Sequence, residues 1–156
     1  MQPYECDVFI GGVIQGSERG DGIAAQDYRR RIRDVVEASC PRAAVYDPVA
    51  RHPSSVGYDL ERARETFLGH VGLVTRCRAF IAYLPEASMG TAVEMWEAHR
   101  AGVPVIAISP MRENWVINLL SSMRCADLAA FEAWVRGGGL AATLARRPGA
   151  AAASHA

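Results

Sequence analysis

The sequence predicts an α/β fold: a doubly wound, flavodoxin-like or Rossmann-like parallel sheet of five strands flanked by helices. Three observations carry this prediction. Short apolar runs alternate with longer amphipathic stretches, the pattern of repeated right-handed strand–helix–strand units. The run Val103 to Ser109 is apolar without interruption, as a strand covered on both faces requires. The 156 residues, half of them hydrophobic, suffice for one core and fall short of two ordinary domains.

The elements follow in order. Val8-Phe9-Ile10 reads as a buried first strand ending in a Gly11-Gly12 turn, and Gly16 to Gly22 as a polar loop before a helix over Ile23 to Ser39. Ala43 to Tyr46 makes a short second strand stopped by Asp47-Pro48, and a long loop runs through Arg51-His52-Pro53-Ser54-Ser55. Leu60, Ala63, Phe67 and Val71 or Val74 recur at helical spacing within a helix over Asp59 to Thr75. Arg78 to Leu84 is the third strand, Thr91 to Ala101 a helix, and Val103 to Ser109 the fourth strand. Trp115 to Met123 reads as helical, Arg124 to Ala126 as a weak fifth strand, and Asp127 to Val135 as a last helix. Gly137-Gly138-Gly139 is expected to end the ordered body, giving one domain over 1–136 and a Gly/Ala-rich tail over 137–156, partly disordered.

Composition narrows the function classes. Acidic and basic side chains number 17 each, and the arginines are scattered apart from Tyr28-Arg-Arg-Arg31, read as a solvated helix face. A polyanion-binding surface is not expected, so neither is a nucleic-acid polymer as partner. Cys6, Cys40, Cys77 and Cys125 show no Cys-x-x-Cys spacing, and no secretory apolar region precedes the first strand. Reduced thiols and a cytoplasmic location are expected, with no membrane partner. Cys77 and Cys125, beside predicted strands, read as small core residues. The four histidines are far apart in sequence, so neither a metal nor another cofactor is expected.

The most informative stretch is Ile81-Ala-Tyr-Leu-Pro-Glu-Ala-Ser-Met-Gly-Thr-Ala-Val-Glu94-Met-Trp, where an apolar run breaks into small residues and then a helix. A strand ending at Ser88-Met89-Gly90 turns backbone N–H groups toward the cleft, and a helix start favours an anion or an ionised Glu94. Thr91-Ala92-Val93-Glu94 equally fits a capping box, with Thr91 as cap and Glu94 folded back onto it. In an open α/β sheet, ligands bind beyond the carboxyl ends of the strands where connections depart in opposite directions. For the flavodoxin-like order that crevice lies between the first and third strands, so Gly11-Gly12 would face Ser88 to Glu94.

Arg-Ala-Phe-Ile-Ala-Tyr-Leu, then Gly-Thr-x-x-Glu-x-x-x-Ala, then Ala-Gly-Val-Pro-Val-Ile-Ala-Ile resembles the nucleoside 2-deoxyribosyltransferase-like family. The likeness covers about Asp7 to Met123 and is most specific from Arg78 to Ile108. It implies a nucleotide-binding catalytic domain in which Glu94 attacks the anomeric carbon of the sugar. Ser88 takes the place where the transferases carry an aspartate and the hydrolases of nucleoside 5′-monophosphates carry serine. A hydroxyl donates to a phosphate that a carboxylate would repel, so Ser88 points to a nucleotide.

The resemblance also implies roles for Gly11, Gly12, Gln15, Ser88, Gly90 and Asn118 in binding substrate, with Asn118 delivered into a neighbouring subunit's site and hence a homodimer. Trp115 is open between that interface, the base and the core. The chain departs from the family at three places. The family's first-strand tyrosine, which touches the nucleophile, is Val8; the aspartate that helps protonate the leaving base aligns with His70; and the first-loop arginine of the phosphate-hydrolysing relatives is Gln15. Histidine can act as general acid near neutral pH, or His70 is an ordinary packing residue. Arg19 or Arg112 could replace the missing cation, and the Arg51 to Ser55 loop could wall the base.

The expected function is hydrolysis of a nucleoside 5′-monophosphate to free base and sugar phosphate through a covalent glycosyl–Glu94 intermediate. The alternatives are base exchange on unphosphorylated nucleosides, and a nucleotide-binding or sensor protein without chemistry.

Overall fold

The computed structural model describes residues 5–16 and 22–146. Five parallel strands, β1 (Cys6–Gly12), β2 (Val45–Tyr46), β3 (Cys77–Tyr83), β4 (Val105–Ile108) and β5 (Met123–Cys125), are ordered β2-β1-β3-β4-β5. This is the flavodoxin-like order, with its topological switch between β1 and β3. Gly11 and Gly12 pair with Ala82 and Tyr83, so the glycines continue β1 instead of forming the expected turn.

Among the described residues seven helices cover the sheet: α1 (Asp27–Ser39), α2 (Pro48–Arg51), α3 (Leu60–Val74), α4 (Met89–Arg100), α5 (Trp115–Leu120), α6 (Leu128–Arg136) and α7 (Gly139–Ala145), with a short 3-10 turn over Ser55–Gly57. Side-chain alternation along the strands divides the core in two. Phe9, Phe80, Ala82, Val105 and Ala107 pack toward α3, α4 and α5 with Met95, Ala98 and Ile117. Val8, Ile10, Ile81, Ile106 and Ile108 pack toward α1, α6 and α7 with Ile32, Phe131 and Leu140. Side chains one residue apart on a strand point to opposite faces, and that alternation decides which residues can meet at the site. No helix among the described residues is long and apolar enough to cross a membrane.

Four expectations about the elements need correction. The triglycine does not end the ordered body: Gly138 adopts φ +88°, a left-handed conformation that suits glycine, and α7 follows with Leu140 fully buried. Residues 147–156 lie outside the described part. The Arg51 to Ser55 loop is shorter than expected, His52 to Ser54, because α2 ends at Arg51 and the 3-10 turn begins at Ser55. On α3, Leu60 is 90% exposed and Phe67 leans toward Gly90 at the start of α4 with 38% of it exposed, while Ala63, Thr66, His70 and Leu73 form the inner row. Tyr28-Arg-Arg-Arg31 is only half solvated, because Tyr28 and Arg29 are buried.

Candidate active site

Glu94 lies at the switch point, on the sheet face covered by α4. Ser88 caps α4: its Oγ accepts from the Thr91 backbone N–H at 3.4 Å and from the Thr91 hydroxyl at 3.0 Å. The cap therefore lies three residues before the expected one, the helix begins at Met89, and Glu94 falls in the second turn. A carboxylate there cannot fold back as a capping box, whose acid belongs at the third helical position. The placement of Glu94 in the first turn is corrected with it, and the helix start ceases to be its main electrostatic influence, since that effect fades within one turn.

Burial takes over instead. Glu94 is 8% exposed, and loss of water raises its pKa to about 7, opposed by the positive charge of Arg29. Its Oε2 lies 3.0 Å from where a Cβ on Gly11 would stand, and the Phe80 ring edge lies 2.5 Å from the same point. Any side chain at Gly11 would collide with the aromatic wall and press on the carboxylate. Sequence and structure agree in bringing Gly11 and Glu94 together. The group is half protonated near neutrality, so both an ionised nucleophile and its acid form are within reach.

His70 reaches the same face from α3, inside an aromatic cluster. Its ring centroid is 6.0 Å from Phe9, 5.8 Å from Tyr46 and 5.3 Å from His52, all edge-on. Its Nε2 is buried without a hydrogen-bond partner. Burial, then the charges of His52 and Arg29, lower its pKa to about 4. An imidazole that holds no extra proton at pH 7 is not a ready cationic acid, so the expectation of a general acid titrating near neutrality is corrected for the free protein. A neutral ring can still donate one N–H. His52 Nδ1 lies 3.2 Å from the Tyr58 hydroxyl, which places the loop between α2 and α3 against this cluster. Two histidines distant in sequence thus meet, although among the described residues no three His, Cys, Asp or Glu side chains form a metal-sized group.

Arg29, expected on a solvated helix face, and Asp47, expected only to stop the second strand, are both buried and paired with each other. The Arg29 guanidinium donates through NH1 to Ile10 O at 3.1 Å and Asp47 Oδ1 at 3.0 Å, and through Nε to Gln26 Oε1 at 2.7 Å. Asp47 also accepts from Arg33 at 2.8 Å and caps α2 through the Val49 N–H at 3.0 Å. The missed signal was periodicity: Arg29 stands three and seven residues before the buried Ile32 and Val36, on the inner stripe of α1.

The remaining expected residues divide by position. Ser88 and Gly90 stand at the start of α4 beside the switch point. Gly12 faces the other side of the sheet, where a Cβ would strike the Tyr28 hydroxyl, so it does not join Glu94. Val8 also points to that other face, and the first-strand position facing α4 belongs to Phe9. Gln15 is exposed on its loop, and Arg112 is exposed before α5. Asn118 is exposed on α5 and donates to Arg112 O at 2.7 Å, so the chain does not bring it to its own Glu94 contacts. Trp115 is 80% exposed, which excludes the core. Arg19 lies outside the described residues. A separate concavity of about 370 Å³, lined by Tyr83, Pro85, Ile108, Pro110 and Leu128 among others, lies at the carboxyl ends of β3 to β5 without contacting Glu94.

No family model and no curated protein matches the chain. Among solved structures it is similar to the 2-deoxyribosyltransferase of the psychrotolerant bacterium Bacillus psychrosaccharolyticus, with a TM-score of 0.61 and 15% identity over 81% of this chain and 90% of that one. A Clostridium botulinum CMP N-glycosidase matches at a TM-score of 0.45 and 16% identity, over 81% of this chain and 94% of that one. From the first of these likenesses, the chain has the fold of a 2-deoxyribosyltransferase.

Proposed function

We propose that this protein is an N-glycosidase that cleaves a nucleoside 5′-monophosphate into free base and (deoxy)ribose 5-phosphate. The observation that carries the reading is Glu94: a nearly buried carboxylate, released from capping by Ser88, titrating near pH 7 against Gly11 at the switch point. Its ionised oxygen attacks C1′ as the C1′–N bond breaks and the electron pair leaves with the base, which takes up a proton. Water then opens the glycosyl ester, releasing the 1′-hydroxyl sugar phosphate, a proton and the carboxylate. The neutral imidazole of His70 donates a hydrogen bond to the departing base.

Ser88 supports a phosphate at the far end of the sugar. Its oxygen already accepts twice from Thr91, which leaves the hydroxyl hydrogen to donate. The N–H groups of Met89 and Gly90, at the first two helical positions, have no acceptor within the helix and add to the same anion site. Copies pair through the face bearing Trp115 and Leu119, carrying Asn118 into the neighbouring pocket. The fold shared with a 2-deoxyribosyltransferase keeps base exchange between unphosphorylated nucleosides as the second reading.

The test is a panel of nucleosides and nucleoside monophosphates, with and without a second free base, followed by chromatography of bases and sugars. Base release from monophosphates, lowered at least about a thousandfold in Glu94→Ala, is expected. Release that survives the substitution removes the nucleophile. Exchange confined to nucleosides selects the transferase, and nucleotide binding without turnover selects a binding protein.

A further inference from the structure

We propose that Arg29 is a positioning residue for Glu94, fixing the Ile10–Gly11 backbone on which the carboxylate rests and supplying the positive charge that faces it. The chain of contacts is short. Arg29 NH1 grips the Ile10 carbonyl, the next residue is Gly11, and Glu94 Oε2 lies 3.0 Å from the Cβ position of Gly11. Arg29 is itself held rigidly by Gln26, whose amide donates to Val13 O at 3.0 Å and Ala24 O at 2.7 Å, and by Asp47. One buried guanidinium therefore joins β1, the loop after it, α1 and the start of α2 at the crevice.

The electrostatic half follows from what else faces Glu94. From α3 comes His70, uncharged at neutral pH. From α4 itself, Glu97 is engaged by Arg100 at 3.1 Å on the outer side. On the β1 and β3 side, the Gly11 Cβ position that lies 3.0 Å from Glu94 Oε2 is bordered by the Phe80 ring, and neither residue carries a charge. From α1, Arg29 is the charge that opposes the cost of burying the carboxylate. Asp47 tempers that charge, and Arg33 in turn offsets Asp47 at 2.8 Å. Because Asp47 keeps Arg33 and the Val49 N–H, removing the Arg29 charge does not leave Asp47 unpaired.

The experiment follows the Glu94 carboxyl carbon by NMR in the full-length protein labelled with 13C-glutamate, the resonance being assigned by its loss in Glu94→Gln. Arg29→Met should move the midpoint upward by roughly one pH unit or more, and Arg29→Lys by less. Asp47→Asn, close to isosteric, should move it downward, because the guanidinium is then less compensated. The acid limb of base release should follow the same order, and this kinetic arm rests on the reading of Glu94 as the attacking carboxylate. The titration does not, so failure of that reading and failure of this one are distinguishable. A purely structural Arg29 would lower activity or melting temperature and leave the midpoint in place. Should Arg29→Met fail to fold, the opposite shifts of Arg29→Lys and Asp47→Asn decide. An unchanged midpoint in the folded variants overturns the proposal.

Discussion

Taking a proton from Glu94 inside the fold is harder than in the unfolded chain, and that difference couples the site to stability. The folded group titrates near 7 and the ordinary carboxyl near 4.5, so between these values the folded state holds the proton more tightly. Stabilisation present below pH 4.5 is therefore lost as pH rises through 7, up to about 3 kcal/mol. His70 runs the other way: its pKa is lowered to about 4, so its contribution is present above 6.5 and lost as pH falls toward 4. Glu94→Gln keeps the His70 dependence and removes the other. Thermal unfolding should find the variant close to the parent at pH 5 and several degrees above it at pH 8.5. A constant offset at both values would mean that the carboxylate is better solvated than its burial indicates. At this scale the sequence was legible in placing Ser88 at a helix start and Glu94 against Gly11 at the switch point. It was opaque where a charge is buried, because Arg29 in a run of three arginines has the outward look of a solvated face until the fold supplies Asp47.

Helix boundaries followed local chemistry more closely than motif templates. Asp59, Asn114 and Asp127 each cap a helix through the N–H three residues on, and Ser88 does the same for α4, although Thr91 fits a capping box equally well on spacing. Both serine and threonine are competent caps, and burial of the Thr91 side chain at 2% exposure, which a sequence does not display, settles the choice. The triglycine misled for a related reason. Three glycines ordinarily end structure, yet here Gly138 turns the chain and Gly139 passes beneath the Trp134 ring, bringing α7 back onto the sheet. Leu140 and Leu144 complete the layer formed by α1 and α6. Leu140→Ala should cost about 2–5 kcal/mol in denaturant unfolding. Truncation after Gly138 should cost at least as much, whereas a dispensable tail would leave the midpoint unmoved.

The five-strand order was readable because strand–helix alternation and one doubly buried strand leave few topologies open. What lies across the surface was not readable, because the same helical periodicity serves an inner core and an outer contact. Met89, Val93 and Trp96 line the outer side of α4, with Trp115, Val116 and Leu119 exposed on the neighbouring α5. An apolar surface of this kind suits a partner, and Asn118 stands in its midst. If a second copy is that partner, the closed two-fold arrangement gives two equal sites, each combining Glu94 of one chain with Asn118 of the other. Trp115→Arg with Leu119→Arg should then yield monomers by light scattering and lose base release. Mixing two inactive proteins makes the sharper test. Glu94→Ala and Asn118→Ala chains, allowed to exchange subunits, form hybrids in which one pocket has an intact Glu94 facing an intact Asn118 while the other has neither. About half the dimers are then hybrids with one working site, so about a quarter of the parental activity should return. If Asn118 serves its own chain, or no dimer forms, mixing restores nothing.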